Sequence, residues 1–214
     1  MRTLTRRTRW TIAVLTVVVA LAVALIAQLR DDSPTIASPS SSPNREHRDA
    51  DTPAALAGPR QRADLPPCPA PGNAGGPTAL RGVQVECAAN GSPVDVARAL
   101  AGRRVVINLW AYWCAPCAAE LPAMAEYQRR VGPDVLVLTV HQDENETAAL
   151  LRLAELGVRL PTLQDGRRLI AAALKVANVV PATVVLRPDG SVAQTLLRDF
   201  ATADEIAAAV GNDA

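Results

Sequence analysis

The stretch from residue 104 to residue 117 constrains this chain more than any other feature. Arg104 to Trp110 contains Val105, Val106, Ile107 and Leu109, a run apolar enough for a strand buried on both faces. It passes almost at once into Cys114-Ala115-Pro116-Cys117, and from Ala118 to Arg130 the spacing predicts a helix, with a kink near Pro122. A buried strand feeding a helix requires a sheet covered by helices, so the two thiols belong at the rim of an α/β core. Three of the six aromatic side chains, Trp110, Tyr112 and Trp113, fall just before the first thiol and mark a surface built around it.

A thiol at a helix start meets unpaired backbone N–H groups and the positive end of the helix dipole, and both favour thiolate. Such C-x-x-C nucleophiles titrate at roughly 3.5–7.5 rather than near 8.5. Cys114 is therefore expected to attack, and Cys117, further into the helix, to resolve the mixed disulfide. Pro116 suits a first helical turn, where its missing N–H is harmless. Glu120 lies three positions beyond Cys117 and shares its helix face. That spacing fits either a proton acceptor for the thiol or a solvated glutamate. Val180-Pro181 precedes the apolar run Ala182 to Leu186. X-Pro bonds are the ones that adopt cis at tolerable cost, although the sequence alone favours an ordinary trans proline opening a strand.

Around this unit the pattern predicts a short strand at Val83–Cys87, one or two helical turns at Val94–Leu100 and a second buried strand at Asp134–Val140. A helix over Thr147–Leu156 should end at Gly157, and another should span Arg167–Val176. Val184–Leu186 and Val192–Leu197 flank the turn signal Arg187-Pro188-Asp189-Gly190, and Thr202–Val210 closes the chain as a helix. The first half supplies a parallel βαβ unit and the second an antiparallel hairpin. One mixed β-sheet flanked by helices on both faces accommodates them.

The N-terminal third has a different composition. Residues 1–9 carry four arginines and no acid, and Trp10 to Ala27 is an 18-residue apolar run. At about 1.5 Å per residue that helix would reach roughly 27 Å, close to the thickness of a bilayer core. The arginines should remain cytoplasmic, which places everything beyond the span outside. Residues 10–27 are read as an uncleaved transmembrane signal-anchor; a cleaved signal peptide is the alternative, and both export the rest. Residues 28–66, rich in proline and serine, read as a disordered linker, and 67–214 as the folded domain.

Several function classes lack support. A net charge of +1 gives no general attraction to nucleic acid. One C-x-x-C pair without a second knuckle makes a poor zinc site, and no histidine follows Cys117 as haem attachment would require. No metal and no cofactor is expected beyond the redox-active Cys114–Cys117 disulfide. His47, in the linker, and His141, at a strand end, read as solvated and are left outside the site.

The stretch Asn108-Leu109-Trp110-Ala111-Tyr112-Trp113-Cys114-Ala115-Pro116-Cys117-Ala118-Ala119-Glu120-Leu121-Pro122 closely resembles the TlpA/ResA-like branch of the thioredoxin superfamily, membrane-anchored bacterial thiol–disulfide oxidoreductases. The resemblance runs over about residues 80–210, through Val180-Pro181-Ala182-Thr183 and the Asp189-Gly190 hairpin. It implies a thioredoxin fold, Cys114 as nucleophile and Cys117 as resolver. It also implies a cis-proline at Pro181, a substrate-binding backbone at Val180, and Glu120 as the acidic residue of the active site; Trp113, in the aromatic cluster next to Cys114, is the other substrate-binding candidate. Cys68 and Cys87 lie outside that motif and are expected to form a structural disulfide in an oxidising compartment.

The function expected is reduction of exported protein disulfides during cytochrome c maturation. Apocytochrome c is then a substrate and a membrane protein the electron partner. The same residues would serve a disulfide-forming oxidase, and copper-site assembly is a further alternative. The location expected is the bacterial cell membrane, single-pass, with the C-terminal domain extracytoplasmic.

Overall fold

A computed structural model of the chain describes residues 51–73 and 75–211, along with the isolated Ala20. These residues, Ala20 apart, lie within a compact unit spanning Asn44–Ala214. Apart from Ala20, the apolar run 10–27, the basic segment before it and most of the linker fall outside the described residues. Among the described residues no helix is long and apolar enough to cross a membrane.

In chain order the elements are α1 (Pro53–Ala63), β1 (Gln84–Cys87), β2 (Pro93–Asp95), α2 (Val96–Ala99), β3 (Arg104–Trp110), α3 (Ala115–Val131), β4 (Val135–His141), α4 (Glu146–Leu156), β5 (Thr162–Gln164), α5 (Leu169–Ala173), β6 (Ala182–Leu186), β7 (Val192–Leu196) and α6 (Ala203–Val210). The strands form one mixed sheet in the order β2-β1-β5-β4-β3-β6-β7. β3 pairs in parallel with β4 from Arg104↔Val135 to Trp110↔His141, and antiparallel with β6 from Val105↔Leu186 to Leu109↔Ala182.

Alternation along β3 assigns its side chains to opposite faces, as strand geometry demands. Val105, Ile107 and Leu109 join the core containing Val96 and Leu100 around α2 and Ile170 and Ala171 of α5. Val106 and Trp110 join the other core, with Leu121 and Met124 of α3, Leu153 of α4 and Ile206 of α6. The sheet is thus covered by helices on both sides, as the apolar run of β3 requires.

The predicted ends hold closely for α4, where Gly157 takes the left-handed conformation that ends the helix (φ 64°). They hold also for the β6–β7 hairpin, where Gly190 (φ 84°) donates its N–H to the Arg187 carbonyl at 2.8 Å. The helix expected over Arg167–Val176 is shorter, because Asp165 accepts the N–H groups of Leu169 and Ile170 at 2.9 and 2.8 Å and starts it there. β2 and β5, three residues each, carry too little periodicity to be recognised alone.

The domain also begins earlier than residue 67. Residues 53–63, read as linker, form α1, and Leu56 and Ala63 pack with Ala88 and Leu150. Prolines suggested an extended tether, yet Pro53 occupies the first helical position, where it is favourable. Docking supplies what local propensity does not. Asp51 accepts the N–H groups of Glu146 and Thr147 at 3.1 and 3.0 Å, capping α4. Arg60 pairs with Glu146 at 2.9 Å and donates to the Ala88 carbonyl at 3.2 Å. Cys68 and Cys87 are bonded as expected, fastening the following segment to the end of β1. In the chain-entropy model a loop of this size contributes on the order of 3 kcal/mol.

Burial pushes the Glu146 carboxyl up, and the Arg60 hydrogen bond and charge oppose that. Arg60→Ala in the intact chain should therefore cost about 3 kcal/mol at pH 7, the lower end for breaking a buried pair. The loss should be smaller at pH 4, where burial keeps the folded Glu146 protonated and the unfolded group is largely protonated too. Urea unfolding at the two pH values measures both, and a loss below about 0.5 kcal/mol at pH 7 would mean that α1 is not a working part of the fold.

Candidate active site

β3 delivers the chain to the dithiol. After Trp110 the backbone turns, the Cys114 N–H donating to the Ala111 carbonyl at 3.0 Å, and Cys114 becomes the N-cap of α3. Its sulfur lies 3.2 Å from the Cys117 backbone nitrogen, inside the cluster of N–H groups that a helix start leaves unpaired. Cys114 and Cys117 are bonded, with their Cα atoms 5.2 Å apart. Cys114 retains 5% exposure and Cys117 none, so the two sulfurs differ in access in the expected sense. Pro122 lies within α3, which continues through it to Val131.

Glu120 is not a solvated glutamate. It is fully buried one turn beyond Cys117, and the Asn108 side-chain N–H of β3 donates to its Oε2 at 2.9 Å. Among the described residues no group meets hydrogen-bond geometry at its other oxygen, Oε1. Burial raises its pKa to about 7; Asp199 adds to the rise, while Asn108, Arg198 and the Phe200 backbone oppose it. A carboxyl in that range exchanges a proton near neutral pH, which general acid–base work requires.

The Val180–Pro181 bond is cis, as the resemblance implies. Pairing of Ala182 with Leu109 brings Pro181 opposite the end of β3, and Val180 packs against the core that contains both thiols. Trp113 is 61% exposed beside Cys114, and its indole N–H donates to Asp143 Oδ2 at 3.0 Å. Cys68 and Cys87 stand apart from this site, since β5 and β4 separate β1 from β3 in the sheet. An open groove lined by Asp51, Glu86, Glu144, Glu146 and Arg167 also contains neither thiol.

His141 corrects the sequence reading. Rather than solvated, it is fully buried at the end of β4, its ring 4.9 Å from that of Trp110. Its Nε2 accepts the Tyr112 backbone N–H at 3.3 Å, so Nδ1 carries the proton and donates to Gln164 Oε1 at 2.9 Å. Burial lowers its pKa, with Gln164, Asp143 and Asp51 opposing. Asn108 likewise escaped notice as a site residue. A polar side chain inside an otherwise apolar strand was the available signal for it; for His141 the signal was its position at the strand end level with the thiols.

A central strand that enters a dithiol helix, with a cis-proline across from it, defines a protein of the thioredoxin superfamily. The Redoxin family profile matches residues 71–210, well over half of the chain, and the chain belongs to that family. It is similar to the thiol-disulfide oxidoreductase ResA of Bacillus subtilis, 30% identical over 108 residues, which cover 50% of this chain and 59% of that protein. The chain thus spans less than two thirds of that relative's length. A solved structure of a DsbF homologue from Corynebacterium diphtheriae is 27% identical, with a TM-score of 0.50 over 58% of this chain and 79% of that one. The fold is also shared with a secreted Mycobacterium tuberculosis disulfide oxidoreductase, homologous to E. coli DsbE, at 24% identity and a TM-score of 0.53, covering 62% and 96% of the two chains.

Because the folded state holds Glu120 near 7, above the ordinary carboxyl value, its contribution to stability is fully present below about pH 4 and is lost as pH rises through 7. Glu120→Gln stays neutral throughout. It should exceed the wild type in stability by about 3 kcal/mol at pH 8, the size of a shift of this extent, and the gap should shrink toward pH 4. Thermal or urea unfolding of the oxidised protein tests this, and a gap that does not vary with pH would show that Glu120 is not held neutral by the fold.

Proposed function

We propose that this protein is a membrane-tethered thiol–disulfide oxidoreductase that reduces disulfides of exported proteins through Cys114 and Cys117. The observation that carries the reading is the buried Glu120, poised near 7 one turn beyond the buried Cys117. In the reduced protein the Cys114 thiolate attacks a substrate disulfide, one substrate sulfur leaves as thiolate, and a mixed disulfide forms on Cys114. Glu120 takes the proton of Cys117, whose sulfur then attacks Cys114. The second substrate sulfur is released, two electrons have passed to the substrate, and the Cys114–Cys117 bond has formed.

Val180, before the cis-proline, would bind the extended substrate backbone, and the exposed Trp113 would cover the peptide beside the reacting sulfurs. The substrate class that the family resemblance favours is a cysteine pair of an exported apoprotein, apocytochrome c in particular. A membrane dithiol protein would return the electrons. The run at 10–27 would hold the domain at the extracytoplasmic face of the bacterial cell membrane. No cofactor is needed beyond the dithiol itself.

Cys117→Ala should accumulate a mixed disulfide on Cys114, since the nucleophile stays and only resolution is lost. Cys114→Ala should accumulate at least tenfold less, in view of the burial of Cys117. Non-reducing gels with mass mapping read both; equal trapping through the two cysteines would refute the roles assigned. The reduction potential of the pair gives the direction: a value well below about −200 mV supports a reductase, and one near −120 mV an oxidase.

A further inference from the structure

β3 and β4 end together at the pair Trp110↔His141, and Gln142 still reaches the Trp110 carbonyl with its N–H at 2.9 Å. The turn that follows leaves the ladder. The Tyr112 N–H takes a side-chain partner instead, His141 Nε2 at 3.3 Å. A ring nitrogen can accept only when it carries no proton, so this bond fixes the tautomer, and Gln164 Oε1 at 2.9 Å receives the Nδ1 proton. The same Gln164 donates from its amide nitrogen to the Asp143 carbonyl at 2.6 Å. The Asp143 carboxylate in turn holds the Trp113 indole N–H at 3.0 Å and the Asn145 N–H at 2.9 Å. Two successive residues of the turn, one by its backbone and one by its side chain, are thus tied to one glutamine on β5. Trp110 and Tyr112, with ring centres 4.9 and 6.0 Å from the imidazole, keep the ring from swinging away.

We propose that His141, held as its Nδ1–H tautomer by Gln164, is a positioning residue that fixes the Tyr112-Trp113 turn and so aims the Cys114 sulfur at the start of α3. The proposal rests on the reading of Cys114 as the nucleophile. The turn closes directly on Cys114, whose N–H bonds the Ala111 carbonyl at 3.0 Å and whose sulfur faces the Cys117 N–H at 3.2 Å. Stabilisation of a thiolate by a helix start falls off within the first turn, so a loose turn moves the sulfur out of the region that lowers its pKa.

Two variants separate this role from simple filling of the core. In His141→Gln the longer side chain brings an acceptor to the place of Nε2 and can receive the Tyr112 N–H. In His141→Asn the shorter side chain ends at the place of Nδ1, keeping the Gln164 contact and losing Tyr112. In the reduced full-length chain, H141N should raise the pH midpoint of Cys114 alkylation by about one unit and slow disulfide exchange at pH 6 about tenfold, within the span open to C-x-x-C thiols. H141Q should remain within about threefold of the wild type in rate. Equal behaviour of the two variants, or no change in either, would overturn the proposal. Long-range nitrogen–proton correlation on the unsubstituted chain, in detergent, provides a readout that survives unfolding of the variants. The Nδ1–H tautomer of His141 is expected, and the Nε2–H tautomer overturns the tie to Tyr112. A wild-type chain that exchanges no disulfide at all would refute the function itself, and the tautomer would still decide the tie.

Discussion

Because β3 pairs along both edges and is covered on both faces, the position of everything after Trp110 is set before the chain reaches its thiols. Every residue from Val105 to Trp110 is buried. A one-residue slip would exchange its two faces, moving Asn108 and Trp110 away from α3. The register with β4 and β6 therefore decides where Asn108 meets Glu120, where Trp110 meets His141 and where Pro181 stands. The dithiol follows a strand that is buried and paired along both edges, and the turn between them is short enough to inherit that constraint.

Two opposed electrostatic environments lie within two turns of α3. At its start, unpaired N–H groups surround the Cys114 sulfur and favour negative charge. One turn beyond Cys117, burial disfavours charge on Glu120 and holds it near 7, against a single good hydrogen bond from Asn108. The helix start favours an anion at sulfur and the buried site favours a neutral carboxyl, so two neighbouring parts of α3 make opposite electrostatic demands. His141 contributes in a different way, as a neutral ring whose acceptor nitrogen completes the backbone of the turn.

The far side of the sheet is held by other means. α1, the Asp51 cap on α4, the Arg60–Glu146 pair and the Cys68–Cys87 bridge all fasten N-terminal chain to α4 and to the β1 end. β1 and β2 are short and pair antiparallel at the sheet edge. A covalent bridge there secures an element that could bury little apolar surface by itself. The Cys114–Cys117 pair at the start of α3 and the Cys68–Cys87 bridge at the end of β1 thus lie beside different strands of one sheet.

Much of this was legible in the residues. The apolar run of β3, the C-x-P-C at a helix start, the Gly157 cap and the Asp189-Gly190 turn are local signals, each expressing a backbone requirement that the sequence states within a few positions. Glu120 and Pro181 were visible as candidates but undecided: spacing could not tell a buried carboxyl from a solvated one, nor cis from trans, and only the family resemblance favoured the outcomes found. α1 was misread because its prolines speak for extended chain, while Leu56, Ala63 and Arg60 find their partners on α4 and around Ala88, far along the sequence. His141 looked solvated because nothing near it in sequence needed it; the Tyr112 N–H and Gln164 that hold it come from other elements. The sequence alone determined the longer strands and helices around the dithiol, the thiols and their order. The tertiary structure decided protonation and position, because burial and hydrogen-bond partners are contributed by residues distant in the chain.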